Sequence, residues 1–189
     1  MGALRTFIAI DIPPWVKEQI AGIQNRFKSL DLNASWVRPE NIHLTLKFLG
    51  DIDPQRVPFI KETMTRALNP IPKFSVCLGG LGVYPDLKRP RVLWVGLRNS
   101  QGALETLHEK TDDALNSLDF PKEPRKFSPH LTFGRLKSQK GKSSLEKALQ
   151  EEPEIESDLF EISSVKFYQS KLTRTGSIYT ALDKFILNG

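Results

Sequence analysis

Apolar residues along this chain fall into strand-like and helix-like periods that run through a similar order twice. Arg5-Thr6-Phe7-Ile8-Ala9-Ile10-Asp11 is rich in apolar and β-branched residues and predicts a strand. Pro13-Pro14 ends it and opens a helix, because proline fits the first helical turn. Val16, Ile20, Ile23, Phe27 and Leu30 follow at steps of four and three, one apolar stripe of an amphipathic helix. Asp31 to Asn33 is a turn, and Trp36-Val37-Arg38 predicts a short strand ended by Pro39. In the next strand Ile42, Leu44, Leu46 and Phe48 share one face, while His43, Thr45, Lys47 and Leu49 share the other. The apolar face belongs in the core. His43, Thr45 and Lys47 are therefore expected to face a cleft together, with Phe48 packed inside.

The remainder repeats the scheme. After a turn at Gly50 to Pro54, Val57, Ile60, Met64 and Ala67 or Leu68 mark a helix. Phe74, Val76 and Leu78 alternate as a strand that bends at Gly79-Gly80-Leu81-Gly82, and Val92 to Leu97 reads as a buried strand. Ser100 is the expected N-cap of a third helix carrying Leu104, Leu107, Thr111, Ala114 or Leu115, and Leu118. A basic, proline-containing loop from Leu118 to Phe127 leads into a strand from His130, followed by a short helix over Lys142 to Gln150. Leu159 to Gln169 and Ser177 to Ile186 look like a closing strand pair, with a parity shift that predicts a bulge at Ser163-Ser164. The order is that of an α+β chain built as two similar halves.

Two of these strands carry nearly the same words, Asn41-Ile42-His43-Leu44-Thr45-Leu46 and Ser128-Pro129-His130-Leu131-Thr132-Phe133. The chain has only three histidines, so two of them sharing His-Leu-Thr, one per half, is not readily explained by chance. Residues i and i+2 of a strand point the same way, so each copy presents an imidazole beside a hydroxyl. Histidine moves protons near neutral pH, and a hydroxyl donates to an anionic oxygen. A pseudo-twofold axis between the halves would set His43 opposite His130, giving a general base, a general acid and two anion-binding hydroxyls. The third histidine, His108, lacks a threonine two places on and reads as a surface or boundary residue.

Composition adds modest bounds. The length suits one substantial core or two small lobes. A net charge of +5 favours anionic partners. Basic residues gather around the second motif (Lys122, Arg125, Lys126, Arg135, Lys137, Lys140, Lys142) and at Lys88, Arg89 and Arg91. An acidic run follows at Glu151, Glu152, Glu154, Glu156 and Asp158. The single cysteine, Cys77, excludes an internal disulfide and a cysteine-based zinc site, and reads as a buried small hydrophobe. No stretch reaches transmembrane length and no signal-like start is evident, so a cytoplasmic protein is expected.

With those motifs in view, the chain resembles the two-histidine (2H) phosphoesterases, and within them the RNA 2′,3′-cyclic phosphodiesterases, also called 2′-5′ RNA ligases. The likeness runs from Arg5–Asp11, through Trp36-Val37 and Asn41–Gly50, to Leu93–Leu97, Pro129–Arg135 and Gly176-Ser177-Ile178-Tyr179. Ser177 stands where the family usually has proline. The resemblance implies a bilobal fold, two antiparallel sheets flanking a central groove with helices outside, as one catalytic domain over residues 1–189. It implies no cofactor and no metal. It implies hydrolysis of the P–O3′ bond of an RNA 2′,3′-cyclic phosphate to a 2′-phosphate, with slow 2′-5′ joining as the reverse. By the same analogy His43 is the proton donor and His130 the proton acceptor, roles that the residues themselves do not distinguish. Thr45 and Thr132 would hold the non-bridging oxygens.

Arg135 matches the family's arginine, yet simple alternation puts it on the face opposite His130 and Thr132, unless Gly134 ends or bulges the strand. Lys47 has the right parity and weaker family support. Both are substrate-binding candidates below the four motif residues. The expected partner is RNA with cyclic phosphate ends or a cyclic nucleotide; no membrane or obligate protein partner is indicated, and a monomer is expected. Three other readings stay open. One is a hydrogen-bonded histidine pair at a lobe interface, and another a silent RNA- or nucleotide-binding module. The third is a metallohydrolase drawing on Asp51 and Asp53, although there is no His-Glu-x-x-His or similar ligand set.

Overall fold

The computed structural model describes residues 2–99, 102–151, 155–174 and 176–189. The strands are β1 (Leu4–Asp11), β2 (Ala34–Trp36), β3 (His43–Ile52), β4 (Phe74–Tyr84), β5 (Val92–Asn99), β6 (His130–Leu136), β7 (Phe160–Ile162), β8 (Ser164–Thr173) and β9 (Gly176–Ile186). The helices are α1 (Pro14–Lys28), α2 (Val57–Leu68), α3 (Ala103–Asn116) and α4 (Lys142–Glu151). Helix α1 follows its proline start as expected and buries Val16, Ile20, Ile23 and Phe27. The expected cap at Ser100 lies outside the described residues, as do Glu152 and Glu154 of the acidic run.

All the strands belong to one sheet in the order β7-β4-β5-β6-β3-β1-β8-β9, with β2 added to β6. The neighbours are antiparallel throughout. The two sheets expected from the resemblance are therefore the two halves of one curled sheet. They meet between β3 and β6, where the one register pair is Leu44 with Leu131. These are the middle residues of the two His-Leu-Thr motifs, and both are fully buried.

The halves of the sequence are interwoven across this seam. Strand β4 comes from the first half of the chain but pairs with β5, while β8 and β9 come from the second and join β1. Helix α1 packs on β6 and α3 packs on β3, each crossing to the far side. Neither half could bury its apolar helix stripe alone, so the core is shared. The parity shift near Ser163 has its cause here. It is a change of partner, β7 pairing with β4 and β8 with β1, where a bulge within one strand was expected.

Candidate active site

An antiparallel register through Leu44 and Leu131 sets His43 across from Thr132 and Thr45 across from His130. Because the leucines point into the core, all four flanking side chains point out of the opposite face. His43, Thr45, His130 and Thr132 line one groove of about 600 Å³, together with Arg135.

Each histidine is held the same way. The Nδ1 of His43 donates to the Asn41 carbonyl at 2.7 Å, and that of His130 to the Ser128 carbonyl at 2.7 Å. A carbonyl only accepts, so Nδ1 carries the proton in both rings and Nε2 is left to exchange protons. Aromatic rings fix the planes. His43 lies 4.9 Å from Phe7 and stands edge-on to Tyr179 at 5.3 Å, while His130 stands edge-on to Tyr84 at 4.9 Å with Trp94 at 6.2 Å. Burial among these rings lowers the affinity of both imidazoles for a proton below the ordinary 6.5; their backbone hydrogen bonds oppose this only partly.

The position of Arg135 comes from a bulge. Leu93 pairs with Gly134 and Trp94 with Thr132, so Phe133 has no partner across the ladder and the parity of β6 flips behind it. Phe133 and Gly134 both turn inward and Arg135 emerges in the groove. Gly134 is closely packed: a methyl group there would stand 3.0 Å from Leu93 Cδ1 and 3.1 Å from the Trp36 ring, so these side chains would have to give by a few tenths of an ångström.

The same device acts in the first half and overturns two expectations. Ile8 pairs with Lys47 and Ala9 with Thr45, leaving Leu46 unpartnered across the ladder. Lys47 is thereby turned inward. It is buried and forms an ion pair with Asp112 of α3, and its Nζ also donates to the Pro121 carbonyl at 2.7 Å. Lys47 is not in the groove, because alternation fails one residue before it. Phe48, expected in the core, is instead 67 % exposed and lines the groove.

Other features escaped the sequence pattern. Asn41, besides holding His43, donates through Nδ2 to the Ser177 carbonyl at 2.8 Å, tying β9 to the motif. Tyr179, in the segment Gly176-Ser177-Ile178-Tyr179, forms part of the wall around His43. Asp11 gathers Lys17 at 2.7 Å and Lys166 at 2.9 Å, and Lys17 also donates to the Glu40 carbonyl beside Asn41. Much of the basic cluster near the second motif is taken up elsewhere: Lys122 pairs with Asp113, Arg125 with Glu123, Lys140 with Asp31 and Lys142 with Glu146. His108 stacks on Phe127 with ring centroids 4.1 Å apart, away from the groove lining. Cys77 is half-buried on β4, more open than expected. Asp53 caps a short 3₁₀ turn by accepting from the Gln55 backbone N–H. Among the described residues no group of three or more His, Cys, Asp or Glu side chains is placed to hold a metal. No helix among them is long and apolar enough to cross a membrane.

Comparison with known proteins agrees with this architecture. The model of the LigT-like phosphoesterase family matches twice, over residues 10–94 and 95–179, one match for each half. The RNA 2′,3′-cyclic phosphodiesterase of Thermotoga maritima is 38 % identical over 95 % of this chain and 93 % of its own. That of Methanocaldococcus jannaschii is 35 % identical over 96 % of this chain and all of its own. Among solved structures, a Thermus thermophilus protein superposes with a TM-score of 0.83 at 25 % identity, covering 98 % of this chain and 99 % of its own. Escherichia coli LigT superposes at 0.81 over the full length of both chains, with 23 % identity. From the twofold match of the family model, the full-length relatives and the doubled His-Leu-Thr groove, the chain belongs to the LigT-like phosphoesterases of the 2H superfamily.

Proposed function

We propose that this protein is an RNA 2′,3′-cyclic phosphodiesterase that opens the ring at P–O3′ by paired histidine catalysis. The observation that carries the reading is the meeting of two His-Thr pairs and Arg135 in a single groove. Full-length relatives bearing that activity in their names support it.

A strained five-membered phosphodiester needs a positioned water, a protonated leaving group and stabilisation of charge on the phosphoryl oxygens. His130 Nε2 takes a proton from water as its oxygen attacks phosphorus. The P–O3′ bond breaks and His43, entering as imidazolium, gives its Nε2 proton to O3′. The products are a 3′-hydroxyl and a 2′-phosphomonoester. Each proton transfer is worth about 10²–10⁴-fold in rate. Thr45 and Thr132 donate to the non-bridging oxygens, and Arg135 adds a fixed positive charge beside them. A 5′-hydroxyl in place of water follows the same steps, giving its proton to His130 while His43 protonates O3′, and makes a 2′-5′ linkage; the histidine roles exchange when that linkage is cleaved back to the cyclic phosphate. Both halves act as one catalytic unit, each supplying one histidine. The expected setting is cytoplasmic RNA processing.

The test is incubation with cyclic-phosphate-ended RNA and with a 2′,3′-cyclic nucleotide in excess chelator, followed by phosphorus NMR of the product. A 2′-monoester is expected. Dependence on added metal, or binding without turnover, would overturn the reading in favour of a metallohydrolase or a silent binding module.

A further inference from the structure

The two histidines are held alike at Nδ1, but the carbonyls that hold them are supported differently. In the second half His130 faces Gly96 of β5 across the ladder, and the residues before it are kept by neutral bonds. The Leu97 N–H donates to the Pro129 carbonyl at 3.2 Å, and the Tyr84 hydroxyl donates to Ser128 Oγ at 2.8 Å. In the first half β1 instead places Asp11 opposite His43, as the hub of a charged cluster. Asp11 Oδ1 accepts from Lys17 Nζ at 2.7 Å and from the Ile12 N–H at 3.0 Å, and Oδ2 accepts from Lys166 Nζ at 2.9 Å. Lys17, with only 15 % of its side chain exposed, also donates to the Glu40 carbonyl at 3.0 Å.

Glu40 belongs to the single 3₁₀ turn, Pro39–Asn41, that delivers the chain into β3. Two backbone bonds hold that turn, from the Asn41 N–H to the Arg38 carbonyl at 2.8 Å and from the Ile42 N–H to the Pro39 carbonyl at 3.1 Å. A trans peptide points its N–H and its C=O in opposite directions. With the Ile42 N–H turned back to Pro39, the Asn41 carbonyl of the same peptide is aimed forward at His43 Nδ1. The preceding peptide carries the Glu40 carbonyl, the oxygen that Lys17 holds. Asn41 is thus fixed from two directions, by Lys17 through the backbone and by its own Nδ2 on the Ser177 carbonyl of β9. A single 3₁₀ turn has few bonds of its own and poor hydrogen-bond geometry, so clamps from outside decide how firmly it stands.

We infer that Lys17 is a positioning residue for His43: by holding Asp11 and the Glu40 carbonyl together, it fixes the turn whose Asn41 carbonyl keeps the ring proton on Nδ1 and leaves Nε2 to the groove. The consequence for turnover rests on the phosphodiesterase reading above; the consequence for the ring does not. Lys17 is not among the residues that line the groove, so it acts through Asn41 and not on substrate. Among the described bonds, Lys166 shares the Asp11 carboxylate with Lys17 but not the Glu40 carbonyl, which makes it the matched comparison. A neutral imidazole released into water favours the Nε2–H tautomer, so loss of the clamp puts the proton on the wrong nitrogen for part of the time.

The experiment compares the full-length wild type with Lys17→Met, Lys17→Arg and Lys166→Met, by turnover of adenosine 2′,3′-cyclic phosphate and by NMR of ¹⁵N-labelled histidine. Lys17→Met keeps the aliphatic stem and removes the donor. It should lower kcat by about 10- to 100-fold, the scale of a misplaced reacting group, with KM within about twofold. On the alkaline side of its titration, wild-type His43 should show a protonated Nδ1 and a bare Nε2. In Lys17→Met that pattern should give way to a mixture of tautomers, while the His130 signals stay in place. Lys17→Arg, which can still reach both oxygens, should recover most of kcat, and Lys166→Met should stay near wild type in kcat and in the His43 spectrum. If Lys17→Met failed to fold, Lys17→Gln, which is shorter and uncharged, would be read in the same way. Wild-type kcat in a folded Lys17 variant with a lowered Tm would make the lysine a staple between α1 and β1 and overturn the inference. Equal loss of kcat in Lys166→Met would assign the effect to the charge cluster as a whole, and would also overturn it. If the wild type did not turn over the cyclic nucleotide, hydrolysis would fall and the His43 spectrum would still decide the positioning. An unchanged His43 spectrum in the Lys17 variant would overturn the inference whatever the turnover.

Discussion

Lys47 and Asp112 form a buried ion pair that ties the centre of β3 to helix α3. Asp112 also accepts from the backbone N–H of Glu123 at 3.1 Å, and Lys47 donates to the Pro121 carbonyl at 2.7 Å, so the pair anchors the loop that leads to His130. Removing one member of a buried pair strands the other. Asp112→Ala should therefore cost about 3–5 kcal/mol, a large share of a typical domain's stability, seen as a drop in Tm and in the denaturant midpoint. Lys47→Met combined with Asp112→Leu should recover most of that loss. In the double variant KM should stay within about twofold, since no phosphate contact is lost; a large rise in KM would return Lys47 to the groove.

The histidines should be separable from the fold. His43→Ala and His130→Ala are each expected to lose about 10²–10⁴-fold in kcat, with circular dichroism and Tm near those of wild type. The double variant should lose little more than the worse single one, because the two groups act as a unit. Near-normal turnover by either single variant would contradict paired catalysis.

The pH profile has a sign that follows from burial. The reaction needs one imidazolium and one neutral imidazole together, and burial lowers both groups below 6.5. In the free enzyme the required mixed state is thus most populated on the acid side of 6.5. A bell-shaped kcat/KM with its maximum there is expected, falling about tenfold per unit on the alkaline side once both imidazoles are neutral. A bound phosphodiester anion favours the imidazolium, so the kcat profile should lie at higher pH than that of kcat/KM. A rate constant flat from pH 5 to 9 would sink the mechanism.

Arg135 and the threonines should act on the charged transition state. Arg135→Ala is expected to reduce kcat by about 10²–10³-fold, the usual cost of one preorganised donor. Arg135→Lys should recover part of this, since it keeps the charge but loses the planar fork. Thr45→Val and Thr132→Val should each lower kcat, while Thr→Ser at either site should keep most of it. A change confined to KM in these variants would show that the groups bind the ground state and transition state alike.

The local content of the chain settled a good deal. Helix stripes such as Val16-Ile20-Ile23-Phe27 were legible because helical periodicity is set by near neighbours. The pairing of imidazole with hydroxyl was legible because His43 and Thr45, like His130 and Thr132, are separated by one residue of regular strand. Beyond the threonines the alternation breaks. A bulge is a mismatch between two strands in the number of residues each brings, and neither strand's sequence records it. Tertiary pairing with β1 turned Lys47 inward to Asp112 and Phe48 outward, and pairing with β5 brought Arg135 into the groove. The partner switch at Ser163 was hidden for the same reason, since Ile162 and Val165 differ in which distant strand they meet, not in residue type. Residue identity and spacing were enough to say which side chains could carry the chemistry. The assembled sheet selected those that share a face, because beyond a bulge, facing depends on register between strands and no longer on spacing within one.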